Sequence, residues 1–173
     1  MTERHSGYES ILIVEDNPDD AELAVIALKQ KGIKASYRIA KDGDEALRYA
    51  LGEPSGKMQE PQVYSGGQTA QGQSLPLPPS LILLDLKLPG RGGIEVLKSL
   101  RAAPRTRYVP VVVLTTSVLE EDMIRSYESG ANSFIRKPVD FSTFLNEIEL
   151  ICNYWLDTNL KPKPSLPQGS ANG

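Results

Sequence analysis

The chain has 173 residues, with 19 Lys and Arg against 22 Asp and Glu and a formal charge of -3. That length buries one substantial core rather than two, and the charge lacks the basic excess of a nucleic-acid module, so no direct nucleic-acid partner is expected. One cysteine and one histidine exclude an internal disulfide, a thiolate or His metal cluster and a histidine-based catalytic centre.

No run reaches the roughly 18 to 20 apolar residues of a membrane span. The polar start, Met1 to Ser10, is not a signal sequence. Residues 1–8 therefore read as a flexible leader containing His5, and the chain as cytoplasmic with no membrane partner. Order begins with Ser10-Ile-Leu-Ile-Val14, an apolar run typical of a strand buried on both faces, which stops at Glu15-Asp16-Asn17-Pro18. From Pro18, Ala21, Val25 and Leu28 recur at helical spacing. Asp19, Asp20 and Glu22 suit the positive helix start, and Gly32 the stop. Ala35 to Ile39 reads as a second strand, and Asp44 to Leu51 as a helix closed by Gly52.

Residues 52–79 are rich in Gly, Pro, Gln and Ser with no hydrophobic period, and read as a flexible inserted loop. Ser80-Leu-Ile-Leu-Leu84 is a third buried strand that stops at Asp85, followed by a helix through Val96, Leu97 and Leu100. Val109 to Leu114 is the fourth strand, ending at Thr115-Thr116-Ser117. Ser117 and Glu120 have capping-box spacing before a helix carrying Met123, Ile124 and Tyr127. Asn132 to Ile135 is a brief fifth strand ending at Arg136-Lys137-Pro138. A last helix from about Asp140 carries Phe141, Phe144, Leu145, Ile148, Ile151, Cys152 and Trp155 as one apolar stripe, which makes Cys152 a core residue. Residues 159–173, rich in Lys, Pro, Gly, Ser and Asn, cannot form a second core and read as a disordered tail.

Five strand-helix alternations predict an α/β fold, a doubly wound (βα)5 flavodoxin-like sandwich on a five-stranded parallel sheet, spanning residues 9–158. Ligands of such sheets bind beyond the carboxyl ends of the strands, at the switch in strand order. Glu15, Asp16, Asp85, Thr115 and Lys137 should converge there. Singly, an acid after a strand is a solvated loop residue or a helix cap; recurrence at one sheet edge is what marks these. Neither a GxGxxG nor a GxxxxGK[ST] segment occurs, so nucleotide binding by those means is excluded.

Three converging carboxylates repel unless a cation neutralises them. Hard oxygen donors favour magnesium, or manganese in its place, with Asp16 and Asp85 as direct ligands and Glu15 acting through water. Asp85, ending a central strand, is the candidate nucleophile toward an activated phosphoryl group. Lys137 supplies a compact positive charge and Thr115 a hydroxyl donor to the phosphoryl oxygens.

Ile13-Val-Glu-Asp-Asn17, Leu83-Leu-Asp-Leu-Lys-Leu-Pro-Gly90, Val113-Leu-Thr-Thr-Ser117 and Phe134-Ile-Arg-Lys-Pro138 resemble the four motifs of bacterial response-regulator receiver domains. The resemblance implies a two-component signalling protein, not an enzyme in the ordinary sense, whose Asp85 is phosphorylated by a sensor histidine kinase. It further implies that the backbone carbonyl of Lys87 joins Asp16 and Asp85 around the metal. On switching, Thr115 would move toward the phosphoryl group and Phe134 change its burial. The Lys137-Pro138 peptide is often cis in that family. The leader, the Leu88-Pro-Gly-Arg91 segment and the final helix with Asn153-Tyr-Trp-Leu156 resemble the single-domain regulators of cyanobacterial and bacterial phytochrome kinases, which names a phytochrome as the expected partner. Gly92, Thr116 and the long insertion depart from the common pattern.

The expected output is the face of the fourth helix, fifth strand and fifth helix, whose apolar candidates, Tyr127 and Phe134 included, would serve homodimerisation or kinase docking, although core packing is the expected role of most of them. Two other classes compete: a degenerate receiver acting as a constitutive adaptor without phosphate turnover, and a flavodoxin-like electron carrier, which a colourless protein would exclude.

Overall fold

Side chains alternate across a strand, so a strand apolar at every residue needs cover on both faces. The computed structural model, which describes residues 9–52 and 77–162, builds that arrangement. Strands β1 (Ser10–Val14), β2 (Ser36–Ala40), β3 (Leu81–Leu84), β4 (Val111–Thr115) and β5 (Ser133–Arg136) alternate with helices α1 (Pro18–Gln30), α2 (Gly43–Leu51), α3 (Gly93–Ala102), α4 (Glu120–Glu128) and α5 (Phe141–Cys152). Every pairing is parallel, in the order β2-β1-β3-β4-β5. This is the doubly wound fold that the alternation of elements predicts.

The central strands divide their residues between two cores. Ile11 and Ile13 of β1, Leu81 and Leu83 of β3, and Val112 and Leu114 of β4 pack with Ala24, Leu28, Phe144, Ile148 and Ile151 of α1 and α5. Leu12, Val14, Ile82, Leu84 and Val111 pack on the other side, with Ala46 and Ala50 of α2 and Val96, Leu97 and Leu100 of α3. Each fully buried Leu or Ile contributes about 1.5–3 kcal/mol through removal from water, so the sheet is clamped hardest along β1 and β3. Cys152 lies in the first cluster, as its spacing predicts.

Local chemistry sets the helix ends. The Asn17 side chain accepts from the Asp19 N–H at 2.9 Å with Pro18 in the first turn, so α1 starts directly after the acids that follow β1. Asp42 caps α2 by accepting from the Glu45 N–H at 2.7 Å, and Gly52 closes it at φ 72°, a conformation costly to a side chain. Asp140 caps α5 through the Thr143 N–H.

Three expectations differ from the structure. The Ser117–Glu120 capping box does not form: Leu119, in extended conformation, precedes α4, and Ser117, two residues further back, donates its hydroxyl to Asp122 Oδ2 at 2.5 Å. Met123, Ile124 and Tyr127 do not pack into the core but stand 38%, 48% and 51% exposed. The residue α4 buries is Ser126, whose small side chain, bonded to the Asp122 carbonyl, lets the helix lie close to the body. Phe141, at the first position of α5, stays at the rim of its stripe, 38% exposed.

The Lys137–Pro138 peptide is trans, as is every described peptide bond. Residues 1–8, most of the inserted loop (53–76) and most of the tail (163–173) lie outside the described residues. Of the tail, Lys161 is in place and bonds Glu9 Oε2 at 3.3 Å and the Ser80 carbonyl at 3.2 Å.

Candidate functional site

Chain direction reverses its winding between β1 and β3, because β1 leads outward to β2 while β3 leads the other way to β4. The crevice at that switch opens above the carboxyl ends of β1 and β3. Each site residue stands just past its strand yet is still held by the ladder. The Glu15 N–H donates to the Ala40 carbonyl at 2.9 Å, Asp85 to Val14 at 3.0 Å, and Lys137 to Thr115 at 2.8 Å. Their backbones are thus as fixed as the sheet itself.

Glu15, Asp16 and Asp85 each present a carboxylate oxygen, and the three oxygens lie within 4.8 Å of one another. Glu15 and Asp85 are buried and Asp16 is exposed, so the cluster has an open side. The Lys137 side chain, 10% exposed, donates to Asp85 Oδ2 at 3.3 Å and to Glu15 Oε2. It also donates to Asp20 Oδ2 at 2.9 Å, from the first turn of α1. The remaining carboxylate oxygens are supported by backbone donors: Lys87 N–H to Asp85 Oδ1 at 3.2 Å and Asn17 N–H to Glu15 Oε1 at 3.1 Å.

Burial pulls the Lys137 ammonium toward neutrality. Hydrogen bonds to Glu15 and Asp20 and the charges of Asp85 and Glu15 outweigh it, so its pKa lies above the ordinary lysine value. Burial likewise pushes the Glu15 carboxyl above its ordinary value, against the opposing hydrogen bond and charge of Lys137 and the N–H of Asn17. The lysine stays charged, while Glu15 takes up a proton more readily than a solvated glutamate.

One ammonium among four carboxylates leaves the site short of positive charge. Three hard oxygen donors, one reachable from solvent, fit a magnesium or manganese ion that keeps several of its waters. Softer metals would want nitrogen or sulfur, and His5 lies outside the described residues while Cys152 is buried in the core.

The other expected residues sit around this cluster. Thr115 is buried at the end of β4, where its hydroxyl oxygen accepts from the Ser117 N–H at 3.3 Å. Its own proton is left to donate elsewhere. Phe134 stands apart from the acids, beside Val113 in the sheet register. It lines a 290 Å³ groove with Ser117, Val118, Leu119, Glu120, Met123 and Arg136. Asp20 is the residue that sequence reasoning did not bring to the site. As a first-turn acid it is already accounted for by the helix dipole, and only the tertiary fold reveals its bond to a lysine 117 residues away.

The response regulator receiver domain model matches residues 11–149. The chain is 37% identical over 155 residues to the probable methanogenesis regulatory protein FilR2 of Methanothrix harundinacea, covering 90% of this chain and 88% of that one. It is 32% identical over 162 residues to response regulator Rcp1 of Synechocystis sp., covering 94% and 99%. The crystal structure of the Mn(2+)-bound form of Rcp1 matches with a TM-score of 0.70 at 33% identity over 89% of this chain and 99% of that one. That of the phosphorylated cyanobacterial phytochrome response regulator RcpA matches with a TM-score of 0.73 at 32% identity, covering 90% and 99%.

Proposed function

The chain belongs to the response regulator receiver domain family, and from that premise we propose that Asp85 accepts a phosphoryl group from a sensor histidine kinase in a magnesium-dependent reaction. The observation that carries this reading is the buried Asp85 carboxylate within 4.8 Å of two further acids, with Lys137 bonded to its second oxygen. A neutral or solvated acid would need neither neighbour.

Asp16, Asp85 and the backbone carbonyl of Lys87 would hold the ion, with Glu15 acting through water. Bound there, magnesium or manganese supplies charge neutralisation for the phosphoryl oxygens. An Asp85 carboxylate oxygen forms the bond to phosphorus while the bond from phosphorus to the donor's histidine nitrogen breaks, its electron pair leaving with that nitrogen. The Thr115 hydroxyl donates to one phosphoryl oxygen and the Lys137 ammonium to another. The protein is thus a signalling phosphoacceptor that takes part in its own phosphorylation and dephosphorylation. Moving Thr115 shifts the segment that leads through Ser117 to α4, and the groove beside Phe134 gives that ring a place to go.

The output face is α4-β5-α5, where exposed Met123, Ile124 and Tyr127 offer apolar surface for homodimerisation or kinase docking. Likeness to RcpA favours a phytochrome kinase as donor, hence action in the cytoplasm. No helix among the described residues is long and apolar enough to cross a membrane.

Incubation with acetyl phosphate and magnesium, followed by intact-mass spectrometry, tests the chemistry. One phosphoryl adduct is expected in the wild type, lost with EDTA and absent in Asp85→Asn. A folded, magnesium-loaded chain that takes no phosphoryl group from acetyl phosphate or a phosphorylated phytochrome kinase would be a constitutive adaptor instead.

A further inference from the structure

Lys137 is bonded to three acids, and they are not equivalent. Glu15 and Asp85 belong to the trio that fits a divalent ion; Asp20 does not. It lies on the first turn of α1, its side chain 33% exposed where those of Glu15 and Asp85 are 6% and 7%. Its 2.9 Å bond to the ammonium is shorter than the 3.3 Å bond from Asp85.

An ion at the trio takes up the oxygens that Lys137 shares and places two positive charges beside its own. Of the three acids bonded to the ammonium, only Asp20 lies outside the trio and remains free to hold it. We propose that Asp20 is the positioning residue for Lys137: it receives the ammonium when the divalent ion displaces it from Glu15 and Asp85, and keeps it beside the phosphoacceptor. The proposal rests on the phosphoacceptor reading and extends it. Asp20 touches neither the ion nor the phosphoryl group in this scheme; it acts through Lys137.

Calorimetric titration with magnesium at 0.15 M salt tests it in wild type, Asp20→Asn, Lys137→Met and the double variant. Without Asp20, ion binding leaves Lys137 with no charged partner outside the trio, so Asp20→Asn weakens magnesium about tenfold in the wild-type background, the worth of one charge-assisted hydrogen bond. With Lys137→Met only the screened long-range charge of Asp20 remains, and the same substitution weakens magnesium less than about threefold. Asp20→Glu, which keeps the carboxylate, stays within about twofold of wild type. Equal factors in the two backgrounds, or an unchanged affinity in Asp20→Asn, overturn the positioning role. Wild type treated with acetyl phosphate in the same series separates the two failures. If it takes neither magnesium nor a phosphoryl group, the underlying reading falls and the role of Asp20 with it. If it takes both while Asp20→Asn matches it throughout, only the role of Asp20 falls.

Discussion

Replacing Lys137 with Met removes the ammonium that holds Glu15, Asp20 and Asp85 together while keeping most of the side chain's bulk. Breaking a buried pair by deleting one partner costs about 3–5 kcal/mol, because the remaining charge has lost its compensation. Glu15 and Asp85 are buried enough for that range, whereas Asp20 is one-third exposed and recovers solvent, so the loss in EDTA at pH 7.5 is set near its lower end, about 3 kcal/mol. Lys137 itself does not titrate in the useful range. With its pKa raised, its contribution is complete below the ordinary lysine value and is lost only as pH climbs through the higher folded value. A change in the gap between pH 5 and 8 therefore belongs to the acids. Burial raises the Glu15 pKa, so the fold favours its protonated form and the penalty grows as pH rises above the ordinary glutamate value. Without Lys137 that pKa rises further, and the gap narrows toward pH 5. Magnesium stabilises each protein by about 2.7 kcal/mol at a hundredfold excess over that protein's Kd, and at one fixed concentration it narrows the gap because the acids left uncompensated in the variant bind it more tightly. Urea unfolding of both proteins at pH 5 and 7.5, with EDTA or magnesium, reads all of this. A variant within about 0.5 kcal/mol of wild type in EDTA at pH 7.5, within the ordinary scatter of surface substitutions, would refute the reasoning.

A Cβ on Gly93 would lie 2.5 Å from the Asp85 carbonyl oxygen and 2.7 Å from Leu86 Cα, so Gly93→Ala displaces the backbone of Asp85, the proposed nucleophile. It should cost about 2 kcal/mol in urea unfolding despite alanine's better helix propensity and weaken magnesium, while Gly92→Ala, which meets nothing, serves as the tolerated control. Burial, with the charge of Asp157, pushes the Cys152 thiol up to about 12. Labelling at pH 8 in the native protein should therefore run about a thousandfold slower than in urea, and rates within tenfold would contradict the buried position. The same raised pKa makes stability fall as pH rises from the ordinary thiol value toward 12.

Periodicity was enough to find β1–β5 and α1–α5, since the central strands are short apolar runs needing cover on both faces and α1, α2 and α5 carry their own caps. Boundaries moved by a residue or two where the ladder outlasts the apolar run, as at Thr115, which still pairs with Arg136. The acids were legible for a related reason. A buried strand that ends in a carboxylate at one sheet edge, twice, has few physical explanations. Asp20 was not legible, because its partner reaches it from β5 across a sheet order that no local pattern encodes. Helix α4 was misread in the opposite sense. Met123, Ile124 and Tyr127 have the spacing of a core stripe, and nothing in three residues tells whether a helix turns that stripe inward. The decisive residue was the one with no hydrophobic signal: Ser126 lets α4 seat on its small side, leaving the apolar stripe to solvent.

That misreading and the site belong to one physical arrangement. A helix that buries a single serine is held by little apolar area, and its start depends on a chain of polar contacts that runs from the site. The Thr115 hydroxyl oxygen accepts from the Ser117 N–H, and the Ser117 hydroxyl bonds Asp122 in the first turn of α4. Elements bound by few apolar contacts lie at the low end of local stability, where a bias of a few kcal/mol can change the populated state. In the proposed switch, recruiting Thr115 to a phosphoryl group draws on the first of those contacts, and α4, with its exposed stripe, is the element least able to resist. A helix with the stripe packed inward would be too firmly held to respond. The surface free to bind a partner and the freedom to move thus have a common origin in the seating of Ser126.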